Sequence, residues 1–247
     1  MDLWNEPNIN KAISFYINDK NNKTLLIDVL SNITSSYSKE TVDKFICEVP
    51  AKLMNEEDVI IEIIELYIRL ADYPTIMPLV STLMKLTSNH PLAVHYAVLA
   101  NFFIGENKEV VKLANRHQTI PETTIFIAKA LYLMGDIISA IVKLEAEKVD
   151  DADSLGILAI MYFDVSEQEV AHLYANMALR QDSRQFDALL TKASLYFIEF
   201  ELELAHQLIS KLLIMQPENS RVLSLKKKYS YVAENKNKCL TLFINEK

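Results

Sequence analysis

Glycine is almost missing from this chain, with three residues among 247. Sandwiches and barrels need many tight turns, so that scarcity excludes an all-β fold. The seven prolines mostly stand singly between apolar stretches, and no Pro-rich or Gly/Ser-rich linker separates the parts, which favours one continuous domain. Cysteine is scarce too. Cys47 and Cys239 lie far apart, without a CxxC spacing or metal-ligand neighbours. That usage belongs to a reducing compartment, and Cys47 is expected to be a buried structural thiol rather than a nucleophile.

A basic excess is also lacking. The formal net charge is −8 and the pI about 5.2, whereas nucleic-acid binding draws most of its affinity from a basic face. The one basic cluster, Lys226-Lys227-Lys228 with Arg221, reads as a solvated helix end. Long hydrophobic runs are missing: residues 59–68 are broken by Glu62 and Glu65, and 157–163 is short beside the ~20 residues of a membrane span. Met1-Asp2-Leu3-Trp4-Asn5-Glu6-Pro7 has neither a positive leader nor an apolar core, so no signal peptide is expected. These absences together point to a soluble cytoplasmic protein.

Catalytic signatures are missing as well. There is no GxxxxGK[ST], GxGxxG, HExxH or GxSxG, so no enzyme activity and no cofactor are expected. The histidines are His90, His95, His117, His172 and His206. The last two recur after 34 residues, which fits parallel repeat positions better than a metal pair. The acidic stretch 145–153 lacks the glycine and terminal Glu of a calcium loop, and reads as a helix end followed by the N-cap of the next helix.

Half of the residues are apolar, and they recur with a period. Leu155, Ala159 and Tyr162 fall on Leu189, Ala193 and Tyr196 after 34 residues. Downstream, Ala171 falls on Ala205, Ala175 on Ile209, Ala178 on Leu212 and Ser183 on Pro217. Unit starts at Glu57, Pro91, Pro121, Ala152 and Phe186 are spaced by 34, 30, 31 and 34 residues. Turns are expected at Ala71-Asp72, Gly105-Glu106 and Gly135-Asp136, with glycine taking the left-handed backbone that ends a helix. Asp153 and Asp187 suit helix N-termini.

This pattern resembles the tetratricopeptide repeat, a helix–turn–helix unit of 34 residues. The resemblance implies an all-α, right-handed α-solenoid of helical hairpins. Ala159, Ala193, Ala171 and Ala205 would be its small positions, and Tyr162 and Tyr196 its aromatic fillers. The sequence departs from the family in lacking the repeat tryptophan and in placing Val98 and Val110 where small residues are usual. About five units would occupy 57–217. Residues 1–56 would be a helical cap or degenerate repeats, with helices at 8–17, 23–37 and 39–54 and a partial capping signature at Ser38 and Thr41. Residues 218–247 would supply a closing helix at 220–233, needed to cover the last apolar face, and an apolar tail at 240–244 docked on the protein itself.

In this family the first helices line a concave groove. The aligned positions are His95, Leu99, Phe102 and Phe103, then Ile125, Lys129, Tyr132 and Leu133. They continue as Gly156, Ile160 and Phe163, and as Leu190, Ser194, Phe197 and Ile198. A carboxylate clamp for peptide termini would need Asn, Lys and Arg here, and only Lys129 fits. The resemblance implies a protein–protein interaction module that holds a partner polypeptide in this apolar groove, as an adaptor or chaperone. It is loosely similar to the tetratricopeptide chaperones of bacterial secretion. Two alternatives stay open for the groove: filling by tight superhelical packing or by the chain's own N-terminal helices or tail, and a homodimer interface. A third, for the function, is a peptide-sensing regulatory domain acting on a transcriptional or enzymatic partner.

Overall fold

A computed structural model describes residues 13, 14, 16–33 and 37–245, with side chains as far as 235. Two compact units divide the chain, Met1–Met134 and Gly135–Lys247. Among the described residues every regular element is helical. The first unit holds α1 (Lys23–Asn32), α2 (Lys39–Cys47), α3 (Glu57–Arg69), α4 (Tyr73–Leu86), α5 (Pro91–Ile104), α6 (Asn107–Arg116) and α7 (Thr124–Leu133). The second holds α8 (Ile137–Ala146), α9 (Ala152–Asp164), α10 (Gln168–Gln181), α11 (Phe186–Ile198), α12 (Leu202–Met215) and α13 (Ser220–Asn245).

Four of the expected unit starts, Glu57, Pro91, Ala152 and Phe186, are helix starts. At the fifth, Pro121 opens a short 3-10 turn, Pro121–Thr123, and α7 begins at Thr124. Within each unit consecutive helices pack as hairpins: α3 on α4 and α5 on α6 in the first, α9 on α10 and α11 on α12 in the second. First helices also stack on each other, α5 on α7 and α9 on α11. Close approach requires small side chains. Ala159, Ala171, Ala193 and Ala205 are all fully buried, as the repeat pattern implies.

The turns share one device. Ala71, Gly105, Gly135, Ser166 and Phe200 all adopt positive φ, at the same spacings of 34, 30, 31 and 34 as the unit starts. At four of them the next residue, Asp72, Glu106, Glu167 or Glu201, donates its N–H to the carbonyl of Tyr67, Asn101, Tyr162 or Tyr196 at 2.8–2.9 Å. This satisfies carbonyls that the helix end would otherwise leave orphaned. The acidic residue then stands at the N-cap of the second helix, where a negative charge suits the helix dipole.

The N-terminal segment differs from expectation. α1 ends at Asn32, not near residue 37. Ser31 and Asn32 both donate side-chain hydrogen bonds back to the Asp28 carbonyl, a local competitor of helix continuation. α2 is capped by Ser38, whose hydroxyl accepts from the Thr41 N–H, and ends at Cys47. Pro50 lies three residues on and has no N–H to extend a helix, so 53–55 forms a separate 3-10 turn. Cys47 is exposed, not buried, because Val42 and Phe45 occupy the inward face of α2. Lys23, where α1 starts, precedes Glu57 by 34 residues, and α1 packs on α3. Most of the expected helix at 8–17 lies outside the described residues.

The closing helix also differs. α13 runs to Asn245 as one 26-residue helix, because no glycine or proline interrupts residues 218–247. The apolar stretch at 240–244 is therefore helical, not a separate tail; the docking of its side chains lies outside the described residues. Val222 and Leu225 are buried against α12 and α11.

Phe200 is the costly turn residue. It is 76% exposed, so it gains little burial, and a left-handed backbone costs an L-residue about 1–2 kcal/mol. Phe200→Gly is expected to stabilise the protein by about 0.5–1 kcal/mol once glycine's greater unfolded-state freedom is deducted. In a thermal melt that raises the unfolding midpoint by about 1–4 °C; an unchanged or lower midpoint contradicts this reading of the turn.

Candidate functional site

In the first unit three of the expected groove positions, His95, Phe102 and Phe103, gather into an aromatic cluster. Phe102 lies 5.4 Å from Phe103 and 5.6 Å from Phe126, and Phe103 stacks on Tyr73 at 4.2 Å and 10°. His95 meets the edge of Phe126, and its Nδ1 lies 2.9 Å from the Thr123 hydroxyl. Leu99 is buried, while His95, Phe102, Ile125, Lys129 and Tyr132 are half-buried. Phe103 and Leu133 are the exposed members. Phe126 joins the cluster although it stands one residue beyond the aligned Ile125, off the face that the repeat period marks.

In the second unit five of the seven expected positions on α9 and α11 form a concavity. Phe163, Leu190, Ser194, Phe197 and Ile198 line a cleft of about 370 Å³. Its other wall is α13, through Ser220, Arg221, Ser224 and Lys228. Arg221 Nη2 donates to Asp164 Oδ1 at 2.6 Å, fixing the start of α13 to the end of α9. The period itself was the missed signal, since Ser220 follows Phe186 by 34 residues. Ser224 and Lys228 thus repeat the positions of Leu190 and Ser194, one helix further on.

Three expected contacts are not available at the surface. Ile160 and Leu190 are each 3% exposed, and Leu190 reaches the cleft only as part of its floor. Their side chains fill the core with Leu189, Ile209 and Val222. Leu99 is 9% exposed. Gly156 is not a groove residue either. A side chain there would collide with the amide of Gln185, which is buried and whose Oε1 accepts from the Ala188 N–H at 2.7 Å to cap α11.

The two parallel histidines have separate tasks. His172 Nε2 lies 3.0 Å from Lys192 Nζ and its Nδ1 2.9 Å from the Asn176 amide. His206 stacks on Tyr229 of α13 at 5.0 Å. Across α8, α9 and α10, the Tyr162 and Tyr174 rings stack at 5.5 Å and both hydroxyls donate to Glu145 Oε1. Burial, reinforced by that carboxylate, pushes both phenols above their usual range. Among the described residues, no cluster of three or more His, Cys, Asp or Glu is placed to share a metal ion, and no helix is long and apolar enough to cross a membrane.

No protein-family model matches the sequence, and neither does any curated protein. Solved structures do match. A chain of the APC/C hetero-tetramer Cut9-Hcn1 aligns with a TM-score of 0.67 at 12% identity, over 92% of this chain and 46% of that one. This chain therefore spans under half of that protein's length. YrrB, a TPR protein with an unusual peptide-binding site, aligns with a TM-score of 0.52 at 14% identity, over 70% of this chain and 93% of its own. What these likenesses show is the fold. The chain is an all-α solenoid of TPR-like hairpins.

Two predictions test the packing around these faces. Gly156→Ala displaces Gln185 and breaks its cap of α11, so a loss of about 1–2 kcal/mol is expected in chemical denaturation; full stability would show that Gln185 moves aside freely. Burial holds the His95 pKa below its usual value, with Glu122 opposing weakly. The unfolded chain then binds the extra proton first. Stability is complete above the ordinary value of about 6.5 and declines as pH falls through it. His95→Gln should flatten the fall in unfolding free energy between about pH 7.5 and 5, and an identical fall in both proteins would refute this.

Proposed function

We propose that the chain is a protein–protein interaction module of adaptor or chaperone type, holding a partner polypeptide on the concave face of its first helices. The observation that carries this reading is the cleft of the second unit, where Phe163, Phe197 and Ile198 stand partly open above Leu190. Buried core aromatics would have closed over one another; these leave about 370 Å³ between themselves and α13. The likeness to YrrB, a protein with a peptide-binding site, supports the reading without deciding the ligand.

The energetics suit a reversible complex. Each apolar side chain seated in such a cleft contributes about 1.5–3 kcal/mol, and association costs about 4 kcal/mol or more. One anchor alone does not hold a partner, while several together reach roughly micromolar affinity. The aromatic face of the first unit, with Phe103 exposed and Phe102 beneath it, is a second surface of the same kind.

The test is affinity capture from the native host, with the co-purifying proteins identified by mass spectrometry. Phe163→Ala and Phe197→Ala are each expected to lose the captured partner while lowering stability by about 1–2 kcal/mol, less than a fully buried phenylalanine would. Retention of the same partner by both variants would remove the cleft from its function.

A further inference from the structure

Resting on that reading, we infer that the cleft of the second unit selects a peptide segment in which an acidic residue adjoins a bulky apolar one, with Lys228 receiving the carboxylate. The apolar half of the site is the pair Phe163 and Phe197 above the Leu190 floor. The charged half comes entirely from α13 and the end of α9, and Ser194 is the one polar residue that α11 adds. Arg221 and Lys228 stand against a single carboxylate, Asp164, so the lining carries a net charge of +1.

That sign is opposite to the molecule's. The whole chain carries −8, which disfavours acidic partners over most of its surface, whereas this cleft attracts them. Asp164 is engaged by Arg221 at 2.6 Å, and the pair forms one wall. Lys228 is exposed at the rim and makes no ion pair or hydrogen bond with any described residue. Its ammonium has three donors and a flexible stem, so it can reach a carboxylate whose neighbouring side chain is seated between the two phenylalanines. A polyanion fits less well, because Asp164 lies on the same lining. The hydroxyls of Ser220 and Ser224, on the same wall, can accept or donate to the peptide backbone.

Lys227 provides an internal control, being exposed on the same helix but outside the cleft. The experiment is selection from a random-peptide display library on the intact protein, followed by fluorescence anisotropy with a labelled selected peptide. Enriched sequences should pair Asp or Glu with an adjacent Phe, Leu or Ile. Lys228→Glu should weaken the selected peptide about tenfold or more, a change on the scale of one charge-assisted contact. Lys227→Glu, which alters the net charge equally, should change affinity by less than about twofold. Peptides that depend on Phe163 but show no acidic enrichment, or equal losses for Lys227→Glu and Lys228→Glu, would overturn this inference and leave the interaction module standing. Failure to enrich any peptide, or binding indifferent to Phe163→Ala and Phe197→Ala, would bring down both.

Discussion

One left-handed residue closes each hairpin, and the stacking of the helices depends on it. When Ala71, Gly105, Ser166 or Phe200 takes positive φ, the following N–H turns back onto a carbonyl of the helix just ended. The chain reverses within two residues, and the second helix starts at an acidic N-cap. A longer turn would let the two helices drift in register, and the alanines could no longer meet at their crossing points. Ala159 and Ala171 are buried to the same degree as Ala193 and Ala205, one period apart. Turn geometry and small-residue spacing are thus two expressions of a single constraint.

That constraint made the fold legible. Leu155, Ala159 and Tyr162 fall on Leu189, Ala193 and Tyr196 because the packing they serve repeats, and the helix starts at Ala152 and Phe186 follow. Two turns were not legible by residue type. Serine at 166 and phenylalanine at 200 do not signal a left-handed backbone, whereas Gly105 and Gly135 do. Only the spacing of 31 and then 34 from Gly135 points to them. The start of α13 at Ser220 was legible; its length and its place on the cleft were not, although Ser220 keeps the 34-residue step from Phe186.

The candidate site was legible in outline and not in depth. Positions one turn apart on a first helix are assigned to a groove by periodicity alone, but exposure is decided by how closely the next helix approaches. At Ile160 and Leu190 the neighbours come near enough to bury them; at Phe163, one turn beyond Ile160, and Phe197, two turns beyond Leu190, they do not. Gly156 shows the same limit from the other side. Its missing side chain is occupied by Gln185, a contact between helices that no single-helix pattern contains. Cys47 turned outward because Val42 and Phe45 already supplied the buried face of α2.

The closing helix unites structure and recognition. The hairpin of α11 and α12 has an apolar face to be covered, and Val222 and Leu225 cover it. Since α13 keeps the period, its remaining residues fall at the positions that line the concave side in the preceding first helices. There the sequence changes character: Leu190 is followed by Ser224, and Ser194 by Lys228. Those positions face the cleft and not a packed helix, so they are free to be polar and charged. Arg221, one turn earlier, is tied to Asp164 of α9 and so sets where α13 starts and how its wall faces the phenylalanines. The same helix that seals the core therefore gives an otherwise acidic molecule its local positive lining, and a change of register in α13 would alter stability and the charge of the cleft together.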